Sequence, residues 1–205
     1  MKFPNGRLLI FAKAPVLGHV KTRLIPALGA AGAAALHEHM CHAALAQATA
    51  ALLAPVQLWC HPDTRHAFFS TCHAMYDVEL HEQRGADLGV RMRNAFDHAL
   101  ASSRYAVIIG TDCPDLSEDD LQKAFRALED GYDAVLEPAV DGGYVLIGLS
   151  RPAPALFSAI DWGSDRVLAQ TRARLADLGL HSQELPPRHD IDRPEDLVRA
   201  GKKIS

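Results

Sequence analysis

Two continuous apolar runs constrain the fold of this 205-residue chain more than any other feature. They are Leu8 to Ala12 and Ala106 to Gly110, and each has the length of a strand that is buried on both faces. Helical patterns separate such runs along the chain, which predicts a mostly parallel sheet covered by helices. The close spacing of residues 134–139 and 144–149 predicts one antiparallel strand. We therefore expect one α/β domain over residues 1–205, with a mixed sheet.

Composition excludes several classes of function. Hydrophobic residues make up 48% and charged residues 22%, as in soluble globular proteins. The net charge is −4, and no long block of Lys and Arg is present, which argues against a nucleic-acid partner. The four cysteines form neither a C-x-x-C pair nor a zinc-ribbon spacing and are interpreted as reduced thiols. The first apolar run is too short for a signal peptide or a membrane span, so we expect a cytoplasmic protein.

A basic loop follows the first predicted strand. It contains Gly18 and three positive charges, Lys13, Lys21 and Arg23, within eleven residues. Ligands of open α/β sheets bind at the carboxyl ends of strands, and backbone N–H groups with Lys and Arg are suited to a pyrophosphate. Neither G-x-x-x-x-G-K-[ST] nor G-x-G-x-x-G is present. The loop is therefore a candidate phosphate site, and the alternative is a solvated basic loop.

Three aspartates are candidate metal ligands. Asp112 directly follows the second apolar run, where a carboxylate is well placed for a hard cation such as Mg²⁺. In an extended segment Asp190 and Asp192 point to the same side, roughly 6.5–7 Å apart, while Ile191 points to the other. The two carboxylates can then share a site with Asp112. The alternatives are that Asp112 caps a turn and that Asp192 caps the final helix, which starts near Pro194.

Two glycine-containing segments are further candidates. Asp141-Gly142-Gly143 separates two predicted strands, and its glycines allow an acceptor to approach the backbone; the alternative is a plain hairpin turn. Residues 83–92 hold two Arg and two Gly at a predicted helix start, where anions bind well. The alternative there is a helix capped by Asp87.

Two further patterns are interpreted as structural. Residues 37–42 are similar to H-E-x-x-H, but the fifth position is Cys41, so the zincin motif fails. We interpret the histidines of this helix as surface residues. Cys113 follows Asp112, and an acidic neighbour disfavours the thiolate, so we expect Cys113 to pack rather than react.

Together these motifs resemble one bacterial family. The residues that carry the resemblance are Leu8 to Pro15, Gly18, Lys21 to Leu24, Gly110 to Pro114, Asp141 to Tyr144 and Asp190 to Asp192. The chain resembles the radical-SAM/selenodomain-associated transferases, which are labelled glycosyltransferases, in the nucleotide-diphospho-sugar transferase superfamily. The resemblance covers residues 7–197. It implies a GT-A fold, that is, a Rossmann-like three-layer α/β/α arrangement with a mixed, mostly parallel sheet.

The resemblance also implies roles for individual residues. Those expected near the nucleotide are Ala12, Lys13, Ala14, Gly18, Lys21, Arg23, Gln83, Gly85, Arg91 and Thr111. Those expected at the acceptor are Asp141, Gly142, Gly143 and Tyr144. Asp112 stands at the metal-binding Asp-x-Asp element of the superfamily. The chain departs from the family twice: it has one Asp in this element, so Asp190 or Asp192 must supply a second ligand, and it has His19 where relatives often carry Lys.

The expected function is a metal-dependent transferase with a nucleotide-activated donor. In a glycosyltransferase, Mg²⁺ or Mn²⁺ on Asp112 neutralises the leaving diphosphate, and Lys21 and Arg23 add positive charge. Asp141 or Asp190 acts as the base on an unknown small-molecule acceptor. The catalytic residues are then Asp112, Asp141 and Lys21. The alternative is a guanylyl- or cytidylyltransferase-like enzyme that releases pyrophosphate from a nucleoside triphosphate. A third alternative is a nucleotide-binding module without turnover.

Overall fold

The structure, a computed structural model, describes residues 1–200, so the last five residues of the predicted domain lie outside the described range. The strands are β1 Gly6–Lys13, β2 Val56–His61, β3 Glu79–Glu82, β4 Tyr105–Ile109, β5 Ala134–Pro138, β6 Tyr144–Leu149 and β7 Ser182–Glu184. The helices are α1 Ile25–Ala50, α2 Ala67–Tyr76, α3 Leu88–Leu100, α4 Glu118–Glu129, α5 Val167–Asp177 and α6 Pro194–Ala200. Short 3-10 helices occupy Thr22–Leu24 and Pro154–Phe157.

The seven strands found within residues 1–200 belong to one sheet, in the order β3-β2-β1-β4-β6-β5-β7. Strand β6 is antiparallel to β4 and β5, and the other neighbouring pairs are parallel, which confirms the predicted mixed sheet. The chain moves outward from β1 to β2 and β3, and then returns to place β4 on the other side of β1. The carboxyl ends of β1 and β4 therefore form a topological switch point, where open α/β sheets bind ligands.

Helices cover both faces of the sheet because the central strands are apolar on both sides. Leu8 and Ile10 of β1 pack with α1, α2 and α4, whereas Leu9 and Phe11 pack with α3 and α5. The two apolar runs that predicted the fold thus lie at the centre of the three layers. No helix within residues 1–200 has the length and apolar character that a membrane span requires.

Local hydrogen bonds decide where two of the helices begin. Ser117 and Asp120 form a reciprocal capping box at the start of α4. Helix α2 begins at Ala67, after a short turn. Asp63 accepts a hydrogen bond from the Arg65 backbone at 2.8 Å, which holds the intervening residues in a turn. Strands β3 and β7 were not predicted, since they are short edge strands formed by pairing with distant segments.

Candidate functional site

A cleft of about 500 Å³ opens at the carboxyl ends of β1 and β4. Twelve of the predicted site residues line it: Ala12, Lys13, Lys21, Arg23, Gln83, Thr111, Asp112, Asp141, Gly143, Tyr144, Asp190 and Asp192. Segments far apart in the sequence therefore meet at the switch point of the sheet, with the first loop on one side and the aspartates on the other.

Two predicted residues of the basic loop lie off the cleft lining. Ala14 is buried, and its backbone N–H donates to His61 O at 2.8 Å, which continues the pairing of β1 with β2. Gly18 has a φ of +78°, a conformation that favours glycine, so it shapes the turn of the loop. Both residues position the loop rather than line the cleft.

The segment before α3 is closed by its own hydrogen bonds. Asp87 Oδ1 accepts from the Val90 backbone at 2.8 Å, which agrees with the capped-helix alternative. Arg91 Nε donates to Gly85 O at 3.0 Å, and neither of these two residues lines the cleft. Gln83 does line it, and its side chain donates to the Ala12 and Trp59 carbonyl oxygens.

The Asp141-Gly142-Gly143 turn is held against the start of α5. A Cβ added at Gly142 would lie 2.2 Å from the Asp165 carbonyl oxygen, so this close approach requires glycine, as does the φ of +93°. The Gly142 carbonyl accepts from the Leu168 backbone at 2.9 Å. Gly142 thus faces α5, while Asp141 and Gly143 face the cleft.

Lys21 is held in an unusual conformation at the base of the cleft. Its φ of 47° and ψ of 42° place a non-glycine residue in the left-handed region, which costs on the order of 1 kcal/mol. The side chain is only 3% exposed, and Nζ donates to Ile191 O at 2.5 Å. Nζ also lies 2.7 Å from Asp112 Oδ1, an oxygen that accepts no hydrogen bond of good geometry, so this contact is an electrostatic ion pair.

The segment from Asp190 to Asp192 presents two carboxylates to the cleft. Ile191 points the other way and is buried against Leu24, and its backbone N–H donates to Asp112 O at 2.8 Å. Asp192 forms an ion pair with Arg23. The start of α6 is closed instead by Asp196, whose Oδ2 accepts from the backbone of Asp192 at 3.1 Å.

Four carboxylates concentrate negative charge in the cleft: Asp112, Asp141, Asp190 and Asp192. Burial raises the pKa of Asp190 to about 6, and the charges of Asp141, Asp192 and Asp112 act in the same direction. Carboxylate oxygens are suited to a hard divalent cation. Within residues 1–200, no three His, Cys, Asp or Glu side chains are already grouped to hold a metal. The donors nevertheless fit Mg²⁺ or Mn²⁺, because one or two carboxylates suffice when substrate phosphates complete the shell.

His37 is a cleft residue that the sequence interpretation missed. It is 5% exposed, so the prediction of a surface histidine is wrong at this position. Its Nε2 lies 3.0 Å from the Lys13 carbonyl oxygen, and burial lowers its pKa. The available signal was spacing, because Ala33, His37 and Cys41 recur every four residues along the buried face of α1.

Cys113 is half-buried, in agreement with a packing role. Burial is the main cause that raises the pKa of its thiol to about 12, so the thiolate is disfavoured at neutral pH.

Comparisons with known proteins support the fold. The sequence model of DUF2064, "uncharacterized protein conserved in bacteria", matches residues 44–164. The crystal structure of a "putative nucleotide-diphospho-sugar transferase" from Desulfovibrio desulfuricans G20 is 31% identical, with a TM-score of 0.88 over 98% of this chain and 89% of that chain. The chain therefore has the predicted GT-A, Rossmann-like fold.

Two more distant structures share this fold. The 4-diphosphocytidyl-2C-methyl-D-erythritol synthase from Anaerococcus prevotii DSM 20548 is 12% identical, with a TM-score of 0.64 over 96% of each chain. The inositol-1-phosphate CTP transferase from T. maritima is 12% identical, with a TM-score of 0.57 over 95% of this chain and 91% of that chain. A comparison with curated proteins gave no match.

Proposed function

Since the chain belongs to the bacterial family DUF2064 and has a GT-A fold, we propose that it is a metal-dependent transferase with a nucleotide-activated donor, and specifically a glycosyltransferase. One observation carries this proposal: the basic loop after β1 and the carboxylate after β4 face each other across one cleft, with Lys21 Nζ 2.7 Å from Asp112 Oδ1. Cations and carboxylate oxygens that line one cleft are what a metal-bound diphosphate requires.

The first loop forms the diphosphate end of the cleft. Lys13, Lys21 and Arg23 all line this end and supply the positive charge that a departing nucleoside diphosphate needs. Asp112, together with Asp190 or Asp192, would hold Mg²⁺ or Mn²⁺, which supplies further charge neutralisation when bound. Lys21 is the most fixed of the cations, because its ammonium is buried and hydrogen-bonded.

The acceptor end of the cleft favours glycosyl transfer to a hydroxyl group. It is formed by the Asp141 turn and Asp190, and each of the Lys and Arg residues that line the described cleft belongs to the first loop or the end of β1. A phosphate acceptor would meet carboxylates at this end, whereas a neutral hydroxyl acceptor would not be repelled. Asp141 or Asp190 then accepts the proton of that hydroxyl during transfer.

A nucleotidyltransferase is the second candidate. The single aspartate at Asp112 and the basic loop favour it, since Lys21 and Arg23 would hold a leaving pyrophosphate equally well. The shared fold with a CTP transferase and a diphosphocytidyl synthase is compatible with this activity. Membership of the radical-SAM/selenodomain-associated group stays a prediction from the sequence.

One assay separates the candidates. The protein is incubated with Mg²⁺ or Mn²⁺ and a panel of nucleotide sugars and nucleoside triphosphates, and the released phosphate species are identified. Slow hydrolysis of a nucleotide sugar to the nucleoside diphosphate supports a glycosyltransferase, and pyrophosphate release from a triphosphate supports a nucleotidyltransferase. Nucleotide binding with no release of either product indicates a binding module, and no binding at all contradicts the proposal.

A further inference from the structure

Two cations of the cleft are paired with two of its carboxylates. Lys21 contacts Asp112, and Arg23 contacts Asp192. We call these two contacts the cleft ion pairs. All four side chains are among those that the proposed function assigns to the diphosphate or to the metal, with Asp192 as one of the two alternatives for the second metal ligand. A ligand of either kind must therefore compete with an internal partner.

We propose that the cleft ion pairs make metal and nucleotide binding cooperative. Each ligand replaces one partner in an ion pair, and the partner that it displaces is then free to bind the other ligand. This inference rests on the proposed function. In the bound state Lys21 and Arg23 contact phosphate oxygens, and Asp112 and Asp192 contact the divalent cation. Without ligand, the two sets of charges neutralise each other.

Burial makes single-ligand binding costly. The Lys21 side chain is 3% exposed, so a cation that displaced it from Asp112 would leave the ammonium buried, with the Ile191 carbonyl as its remaining hydrogen-bond partner within residues 1–200. An uncompensated buried charge is strongly unfavourable. A phosphate that took Lys21 alone would leave Asp112 unpaired beside Asp190. When both ligands bind, every charge regains a partner of opposite sign.

Backbone connections group the charges into two units. Lys21 caps the 3-10 helix Thr22–Leu24, which contains Arg23, so the two cations lie on one short element. Asp112 and Asp192 belong to the other unit, because the Ile191 N–H donates to Asp112 O at 2.8 Å. Both ion pairs, like the hydrogen bond from Lys21 Nζ to Ile191 O, therefore join the same two segments, so a ligand that replaces a partner in one pair also acts on the contact that holds the other.

The coupling is measurable without turnover. Free Mn²⁺ is followed by electron paramagnetic resonance while it is titrated into the protein, first alone and then with saturating CDP, UDP or GDP, after correction for the Mn²⁺–nucleotide complex in solution. We expect the nucleotide to lower the Mn²⁺ Kd of the wild-type protein by roughly 5- to 150-fold, the usual range of coupling between two sites.

Two variants and a matched control assign the effect to the ion pairs. Lys21→Met should bind Mn²⁺ alone about fivefold or more tightly than the wild type, because Asp112 loses its internal competitor, and its coupling to nucleotide should fall. Arg23→Gln changes the more exposed pair and should act in the same direction if Lys21→Met fails to fold. Lys13→Met removes a charge from the same cleft, but Lys13 has no ion pair within residues 1–200, so its effect should be smaller.

The outcomes distinguish this inference from the proposed function. The inference is overturned if the wild-type protein binds Mn²⁺ with equal affinity in the presence and absence of a nucleotide. It is also overturned if neither Lys21→Met nor Arg23→Gln binds Mn²⁺ more tightly than Lys13→Met does. If no nucleotide binds at any concentration, the proposed function fails, while tighter Mn²⁺ binding by Lys21→Met would still establish the competition between Lys21 and the cation.

Discussion

The segment from Arg188 to Asp192 takes part in two clusters of oppositely charged side chains, one at each end. The clusters differ in how far their side chains are buried. In the first, Arg188 bridges Asp120 of α4 and Glu137 of β5, and both carboxylate side chains are at most 1% exposed. We call this cluster the buried triad. In the cleft ion pairs, by contrast, the side chains of Asp112 and Arg23 are about half exposed, at 49% and 56%.

The difference shows how one kind of interaction serves two purposes. The buried triad fixes the chain, because the Arg188 backbone also pairs with Pro138 O at 2.9 Å and with the Val140 N–H at 3.1 Å. Asp190 follows two residues later and so enters the cleft from a rigid anchor. The cleft ion pairs leave charged atoms accessible, so they can exchange partners with a ligand.

The largest effect is expected from breaking the buried triad. Arg188→Met leaves two carboxylates buried without a cation, and we expect a loss of about 3–5 kcal/mol in the free energy of unfolding. Urea denaturation followed by circular dichroism measures this loss. A variant within about 1 kcal/mol of the wild type would show that the triad does not anchor the segment.

A smaller but catalytic effect is expected at Asp112. Asp112→Asn keeps the shape of the side chain and removes the charge that the proposed metal site needs, so turnover should fall on the order of a hundredfold or more. The rate of product release under saturating Mn²⁺ tests this, and circular dichroism should show that the variant is folded at the assay temperature. Its unfolding midpoint should fall, because the buried Lys21 ammonium loses its carboxylate partner. Turnover at the wild-type rate would remove Asp112 from the mechanism.

A pH-dependent effect is expected from Glu137. Burial, with a contribution from Asp120, raises its pKa from 4.5 to about 7, although Arg188 acts in the opposite direction. The folded state therefore binds the proton more tightly than the unfolded state, and the stability gained below pH 4.5 is lost as the pH rises to 7. Between pH 5.5 and 8 the wild type should lose about 2 kcal/mol from this group.

Glu137→Gln tests this slope, because Gln keeps a carbonyl oxygen for Arg188 but does not titrate. Unfolding free energies of both proteins, measured in urea from pH 5.5 to 8, should diverge in favour of the variant at the higher pH. Parallel curves for the two proteins would mean that Glu137 is ionised throughout.

The smallest effect on stability is expected for the exposed pair. Arg23→Met should change the free energy of unfolding by less than about 1 kcal/mol, since exposed ion pairs contribute little. The same variant should bind nucleotide more weakly, as fluorescence or calorimetric titration would show. A loss of stability like that of Arg188→Met would mean that the two clusters are not different in kind.

Much of the fold could be predicted from the sequence, because its central strands are buried on both faces and therefore read as continuous apolar runs. The start of α4 could also be predicted, since the capping box of Ser117 and Asp120 is local in the sequence. Edge strands β3 and β7 could not, because they depend on pairing with β2 and β5 and carry little apolar pattern of their own.

The candidate site divides in the same way. The sequence was enough to recognise Lys21 and Asp112, because each follows a central strand. It also showed that Asp190 and Ile191 point to opposite sides, because they belong to an extended segment with alternating side chains. The position of His37 in the cleft could not be assigned, since helix periodicity shows that a residue is buried but not what it faces. Arg91 and Gly85 are assigned to the nucleotide from the resemblance alone; in the structure Arg91 Nε donates to Gly85 O, and neither residue lines the cleft.

The sequence by itself determined which residue types follow the central strands, and it determined the sheet that positions them. The spacing of apolar residues, the helix caps and the turn residues each depend on only a few neighbouring positions. Only the tertiary structure decided which charges meet. Lys21 and Ile191, 170 residues apart, are joined by a hydrogen bond, and Arg188 reaches both Asp120 and Glu137. Such contacts depend on how the helices and strands pack, and electrostatic energy depends on separation and burial, which no local pattern encodes.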